Sequence, residues 1–185
     1  SKVWVAWLTP KALAPGDAEF DVFTSIFTEG KDSPLVKALV YEKQIAKDVT
    51  AFQYSARLQG QFIIQATAAE GHTTDELVVA IDEVLAEMKA NGVTEEQVQV
   101  SKLNWEKQFY QGLGSINRKA DLLNNYNTVT GDPGYLSKDL DRYLSVTPEA
   151  ISTEINTYLN ENRVVLHVTP LSETESTEDA EENAQ

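Results

Sequence analysis

Cysteine is absent from this 185-residue chain. Thiol catalysis, disulfide cross-links and zinc–thiolate sites are therefore excluded. Histidine is nearly absent, with two residues, and basic side chains are scarce, with 15 Lys and Arg against 29 Asp and Glu. A net charge of −14 repels phosphate backbones and anionic lipid, so neither nucleic acid nor a membrane surface is an expected partner. No apolar run approaches the ~20 residues needed to cross a bilayer, and no leader peptide is visible. The chain opens inside a strand-like run, so it is expected to be a segment of a longer protein.

Catalytic patterns are missing too. His72 sits in a Gly-His-Thr-Thr turn and His167 sits mid-strand, outside H-x-x-E-H, H-E-x-x-H or any paired-ligand spacing. His72 is expected to be an exposed loop histidine, and His167 a structural residue of its strand. No G-x-S-x-G occurs. Gly112-x-Gly114 ends a helix rather than opening one after a strand, so it is no phosphate loop. Glu95 and Glu96 are helix-start charges that suit the dipole. Trp4, Trp7, Trp105, Phe109 and Tyr110 could line a cleft, but at strand and helix spacing they read as core. Lys102, Lys107, Arg118 and Lys119 punctuate polar helix faces without forming a basic stripe.

What is present is enough apolar sequence for one core, at 42% of residues. Lys2 to Leu8 is apolar on both faces and predicts an interior, doubly covered strand. Pro15-Gly16-Asp17 opens a helix with Phe20, Phe23, Ile26 and Phe27 on one stripe, stopped by Gly30. Ser33-Pro34 caps a second helix that buries Leu35, Val36, Leu39 and Val40. Val49 to Leu58 and Gln61 to Ala69 predict a hairpin turning at Gln59-Gly60, with Phe52, Tyr54, Phe62 and Ile64 marking the alternation. Thr73 or Thr74 caps an amphipathic helix carrying Leu77, Val78, Ile81, Val84, Leu85 and Met88. Thr94 to Gln97 is a capping box for a helix ending near Leu113. A further helix presents Ile116, Ala120 and Leu123, and residues 131–134 form a loop. Thr147-Pro148 caps a last helix before the strand Arg163 to Thr169.

This order predicts an α+β fold: one mostly antiparallel sheet with helices on one face, over residues 1–170. Residues 171–185 carry six acidic and no basic side chains, which leaves −8 on residues 1–170. This tail reads as a disordered tail or linker.

Several strings, in order, resemble the pitrilysin/insulinase family of zinc metalloproteases, which includes the mitochondrial processing peptidases. Phe23 to Leu39 resembles its Gly-Gly-x-Ser-Arg-Leu segment, with Pro34 where Arg is usual and the second Gly missing. Leu39 to Val49 resembles the segment that follows it. Gly92 to Glu96, Asn125 to Tyr135 and Val146 to Glu149 resemble the family's G-V-T-x-E-E, G-D-P-x-Y and V-T-P-E stretches.

The resemblance implies a domain that packs against a zinc-bearing catalytic domain, in the same chain or a partner subunit, and helps enclose an unfolded peptide substrate. Zinc in the family is held by an H-x-x-E-H motif that this chain lacks, so zinc is expected in the parent and no cofactor here. In some members a second half supplies a catalytic Arg and Tyr. Those positions fall on Val40 and Lys47. No catalytic or metal-ligating residue is therefore assigned, and no substrate-binding residue can be named. The resemblance further implies a bacterial periplasmic or secreted location. Two other readings stay open: a scaffold protein of the same fold without proteolysis, and an unrelated α+β ligand-binding module.

Overall fold

The computed structural model describes residues 1–170. The chain runs β1 (Lys2–Thr9), α1 (Asp17–Thr28), α2 (Pro34–Val36) continuing as a π-helical turn (Lys37–Glu42), β2 (Ala46–Tyr54), β3 (Gly60–Ala68), α3 (Thr74–Asn91), α4 (Glu95–Gly112), α5 (Ile116–Thr130), α6 (Leu136–Leu144), α7 (Pro148–Tyr158) and β4 (Val164–Val168). The strands form one sheet in the order β2-β3-β1-β4, with every pairing antiparallel. The α+β architecture is thus as expected. The tail described above lies outside the described residues.

Helices cover one face of this sheet. Val3, Val5 and Trp7 of β1 point into the core with Phe62, Ile64 and Ala66 of β3 and Val49 and Ala51 of β2. α1 supplies Phe20, Val22, Phe23, Ile26 and Phe27, and α3 supplies Leu77, Ile81, Val84 and Leu85. Phe62 is the hub: its ring centroid lies 6.2, 5.6 and 5.7 Å from those of Trp7, Phe20 and Phe23.

Local chemistry sets the helix starts. Thr73 and Thr94 each accept a bond from the amide three residues on, while Glu76 and Gln97 reach back to the capping amides. Thr147 caps α7, with Pro148 at its first position. Each such cap stabilises its helix by about 1 kcal/mol.

Four expectations need correction. First, β1 is interior to the sheet but covered on one side only: Trp4 and Ala6 are half-buried and Leu8 is exposed. Second, the hairpin is connected by residues 55–59 rather than by a two-residue turn, because β2 ends at Tyr54. A register shift between Ala46 and Asp48 then puts Val49 and Ala51 inward. Phe52 and Tyr54 consequently face away from the helices, while Phe62 and Ile64 are buried. Third, among the described residues five helices follow the hairpin where three or four are expected, because α6 forms without a side-chain cap to announce it. Fourth, Ile116, Ala120 and Leu123 on α5 are exposed, and Tyr126 is that helix's buried residue. Smaller differences concern α2, where Leu35 and Leu39 are buried but Val36 and Val40 only partly so.

Candidate functional site

The residues singled out by sequence do not converge. His72 Nδ1 lies 3.3 Å from Glu76, and His167 Nδ1 lies 2.8 Å from the Thr74 hydroxyl and 3.8 Å from Asp75. Both rings therefore engage the first turn of α3, as local supports of a helix start. No group of three His, Asp or Glu side chains among the described residues is placed to hold a metal ion. The donor set among the described residues does not fit zinc.

Val40 lies half-buried in the π-helical turn, and Lys47 is exposed at the register shift of β2. Neither can act as a guanidinium or phenol donor. The five aromatics scatter. Trp7 is in the core, its indole N–H donating to the Asn160 carbonyl at 2.7 Å. Trp105 stacks on Tyr143 at 4.3 Å, and Phe109 and Tyr110 meet at 5.8 Å near the end of α4. Trp4 lies on the open side of the sheet. Lys102 departs from expectation, being buried near the middle of α4.

Two features absent from the sequence reading emerge. The first is a polar cluster, buried at Asp17 and Tyr126 and half-buried at Asp21, Asp139, Arg142 and Tyr143, that fastens α6 and α5 to α1. Asp17 is almost fully buried and accepts bonds from the Leu13 amide at 2.9 Å and the Ser55 hydroxyl at 2.5 Å. Arg142 of α6 reaches Asp17 at 2.9 Å and Asp139 at 2.6 Å. Tyr126 of α5 donates to Asp139 at 2.6 Å, and Tyr143 donates to Asp21 at 2.8 Å.

The electrostatics follow from counting charges: three carboxylates share one guanidinium. Burial pushes the Asp21 carboxyl up to about 7; the Tyr143 hydroxyl and Arg142 oppose the rise, and Asp17 and Asp139 add to it. Burial pulls Arg142 down, but Asp139 and Asp17 outweigh it and hold the guanidinium above its ordinary value. Burial and the facing carboxylates raise the Tyr143 and Tyr126 hydroxyls, which stay protonated donors. A cavity of about 330 Å³ adjoins the cluster, with Asp21, Asp139 and Arg57 in its lining.

The second feature is the open face of the sheet. Strand register aligns Phe52, Ile63, Ala6 and Val164 in one row and Thr50, Gln65, Trp4 and Leu166 in the next. Leu8 is 62% exposed, Val164 68%, Tyr54 58% and Leu166 54%. Its charged side chains, Lys2 and Asp48, sit together at one end of these strands. On a chain of net charge −14, this face is poor in charge and carries several exposed apolar side chains beside Thr50 and Gln65.

Comparison with known proteins agrees with the architecture. Residues 1–104 match the family model described as the peptidase M16 inactive domain. The fold is similar to the inactive peptidase domain of a protein from Bordetella parapertussis described as a zinc protease, with TM-score 0.83, 18% identity, and coverage of 93% of this chain and 91% of that one. It is also similar to a protease from Helicobacter pylori, with TM-score 0.82 and 20% identity over 91% of this chain, but this chain spans only 41% of that one. The periplasmic protease PqqL of Escherichia coli matches with TM-score 0.70 and 17% identity over 91% of this chain and 19% of its own. A search of curated proteins finds no match.

Proposed function

Because the chain belongs to the peptidase M16 inactive-domain family, we propose that it is the non-catalytic domain of a zinc metalloendopeptidase of the pitrilysin/insulinase type. That membership carries the proposal, and it sets aside the unrelated ligand-binding module. In this proposal residues 1–170 form the supporting domain, and residues 171–185, acidic throughout, act as a linker or chain end. Zinc resides on a separate domain, in the same chain or a partner subunit. Val40 and Lys47, where a catalytic Arg and Tyr would fall, support a role without chemistry of its own.

The open sheet face supplies one wall of the chamber that encloses an unfolded peptide. An apolar, charge-poor surface suits this task, because an unfolded segment exposes the apolar side chains that a folded protein hides. A periplasmic or secreted location fits the absence of cysteine and the periplasmic E. coli neighbour. No helix among the described residues is long and apolar enough to cross a membrane.

Leu166→Lys tests the wall directly. Leu166 is 54% exposed, so the substitution should change the stability of the domain by only ~0.5 kcal/mol. With the chain reassembled beside its zinc-bearing domain, kcat/KM on an unfolded peptide should fall about tenfold, corresponding to ~1.4 kcal/mol. Unchanged kcat/KM, with the variant folded and assembled, would remove this face from the substrate path.

A further inference from the structure

α5 and α6 are held differently from the rest of the domain. α6 has no fully buried residue, and on α5 only Tyr126 is buried while Ile116 is 84% exposed. With so little apolar burial, their attachment depends on the polar cluster, and such elements open at lower free energy than the core.

That cluster is unbalanced. Arg142 is occupied on both sides by Asp17 and Asp139, so Asp21 is left with the neutral Tyr143 hydroxyl as its partner. The groups around Asp21 come from several elements. Asp17 precedes it by one turn of α1, and Asp139, Arg142 and Tyr143 face it from α6. Tyr126 approaches from α5 through Asp139, and Ser55 and Arg57 from the 55–59 connection line the adjoining cavity. On α4, Trp105 stacks on Tyr143, and Lys102 is buried with no carboxylate within 4.0 Å among the described residues. Among the described residues, Arg142 is therefore the cation that acts on Asp21, and Asp17 and Asp139 already hold it.

We propose that Asp21 is a proton-operated seat for α5 and α6: protonated, it lets the Asp17–Arg142–Asp139 cluster close, and ionised, it loosens both helices from α1. The device is built from this chain's own residues and is independent of the wall assigned to the open face.

The direction follows from linkage. Asp21 has a folded value raised to about 7 from an ordinary 3.8, so the folded arrangement holds the proton more tightly than the open one. Its contribution to seating is complete below the ordinary value and is lost as pH rises through the raised one. Linkage between these two values makes the opening of α5 and α6 about 50-fold more favourable at pH 7 than at pH 5, levelling off above about pH 8.

Hydrogen exchange of the 185-residue chain, corrected for intrinsic amide rates, reads this in peptides covering residues 116–144. Protection there should fall by that factor while β3 peptides stay flat, and Asp21→Asn should keep residues 116–144 protected at pH 8. Wild-type protection that is flat with pH, or an Asp21→Asn chain with the wild-type slope, overturns the proposal. A carboxyl titration of Asp21 by carbon NMR needs no variant. A midpoint near 7 supports the seat, and one below about 5 overturns it.

Discussion

Replacing Arg142 with alanine should destabilise the domain by about 3–5 kcal/mol, because it strands a buried carboxylate. Asp17 is 3% exposed at its side chain and Arg142 16%, so water cannot substitute for the lost guanidinium. Asp139, 14% exposed, loses its charge partner in the same step. For a chain of this size the loss corresponds to a melting temperature lower by roughly 10 °C. Lys138→Ala is the matched control. Its ion pair with Asp132 spans 3.3 Å but is 64% and 47% exposed. Solvent screening leaves such a pair worth about 0–1 kcal/mol. Thermal melts of the two variants should therefore separate clearly. An Arg142→Ala melt as close to wild type as that of Lys138→Ala would mean the cluster is open to water.

The second large effect is expected at Phe62. Its side chain is fully buried where β1, β3 and α1 meet, against Trp7, Phe20 and Phe23. Phe62→Ala removes the hub of three aromatic pairs and leaves a void that rigid neighbours cannot fill, costing about 3–5 kcal/mol. Tyr54→Ala, on the opposite side of the same sheet and 58% exposed, should cost under ~1 kcal/mol. Urea unfolding of both variants tests which face carries the core. Equal losses would contradict a sheet covered on one side.

That contrast also shows where sequence reasoning stops. Helix starts are local chemistry, so Thr94-x-x-Gln97, Thr73-x-x-Glu76 and Thr147-Pro148 can be read directly. The hairpin can be read as well, but not the side each residue takes. Phe52 and Tyr54 look like core by type, and the register shift at Ala46/Asp48 determines otherwise. α6 escapes notice because Tyr135 stands at its start without a side-chain cap. The polar cluster is harder still. Asp17 and Asp21 repeat at helical spacing, which hints at one shared face. Their partners lie more than 120 positions away, with Arg142 separated from Asp17 by 125 and Tyr143 from Asp21 by 122. No local pattern encodes such a meeting. Resemblance reached further than periodicity here, because ordered family strings place a whole fold at once. It gave no information on Asp21, which lies outside every matched string.

The fold and the function also rest on different footings. Family membership identifies the kind of domain, while the zinc, the peptide and the enclosing chamber belong to a larger assembly in this proposal. In the same proposal, the chemistry is supplied from outside this chain. Metal analysis combined with a peptide-cleavage assay, on the purified 185-residue chain and on the same chain joined to the zinc-bearing domain this proposal requires, decides where the chemistry lies. The chain alone should hold far less than one zinc per molecule and cleave nothing, while the joined protein should hold zinc and show chelator-sensitive cleavage. Near-stoichiometric zinc in the isolated chain, or cleavage by it, would place the chemistry in this domain and overturn the proposal.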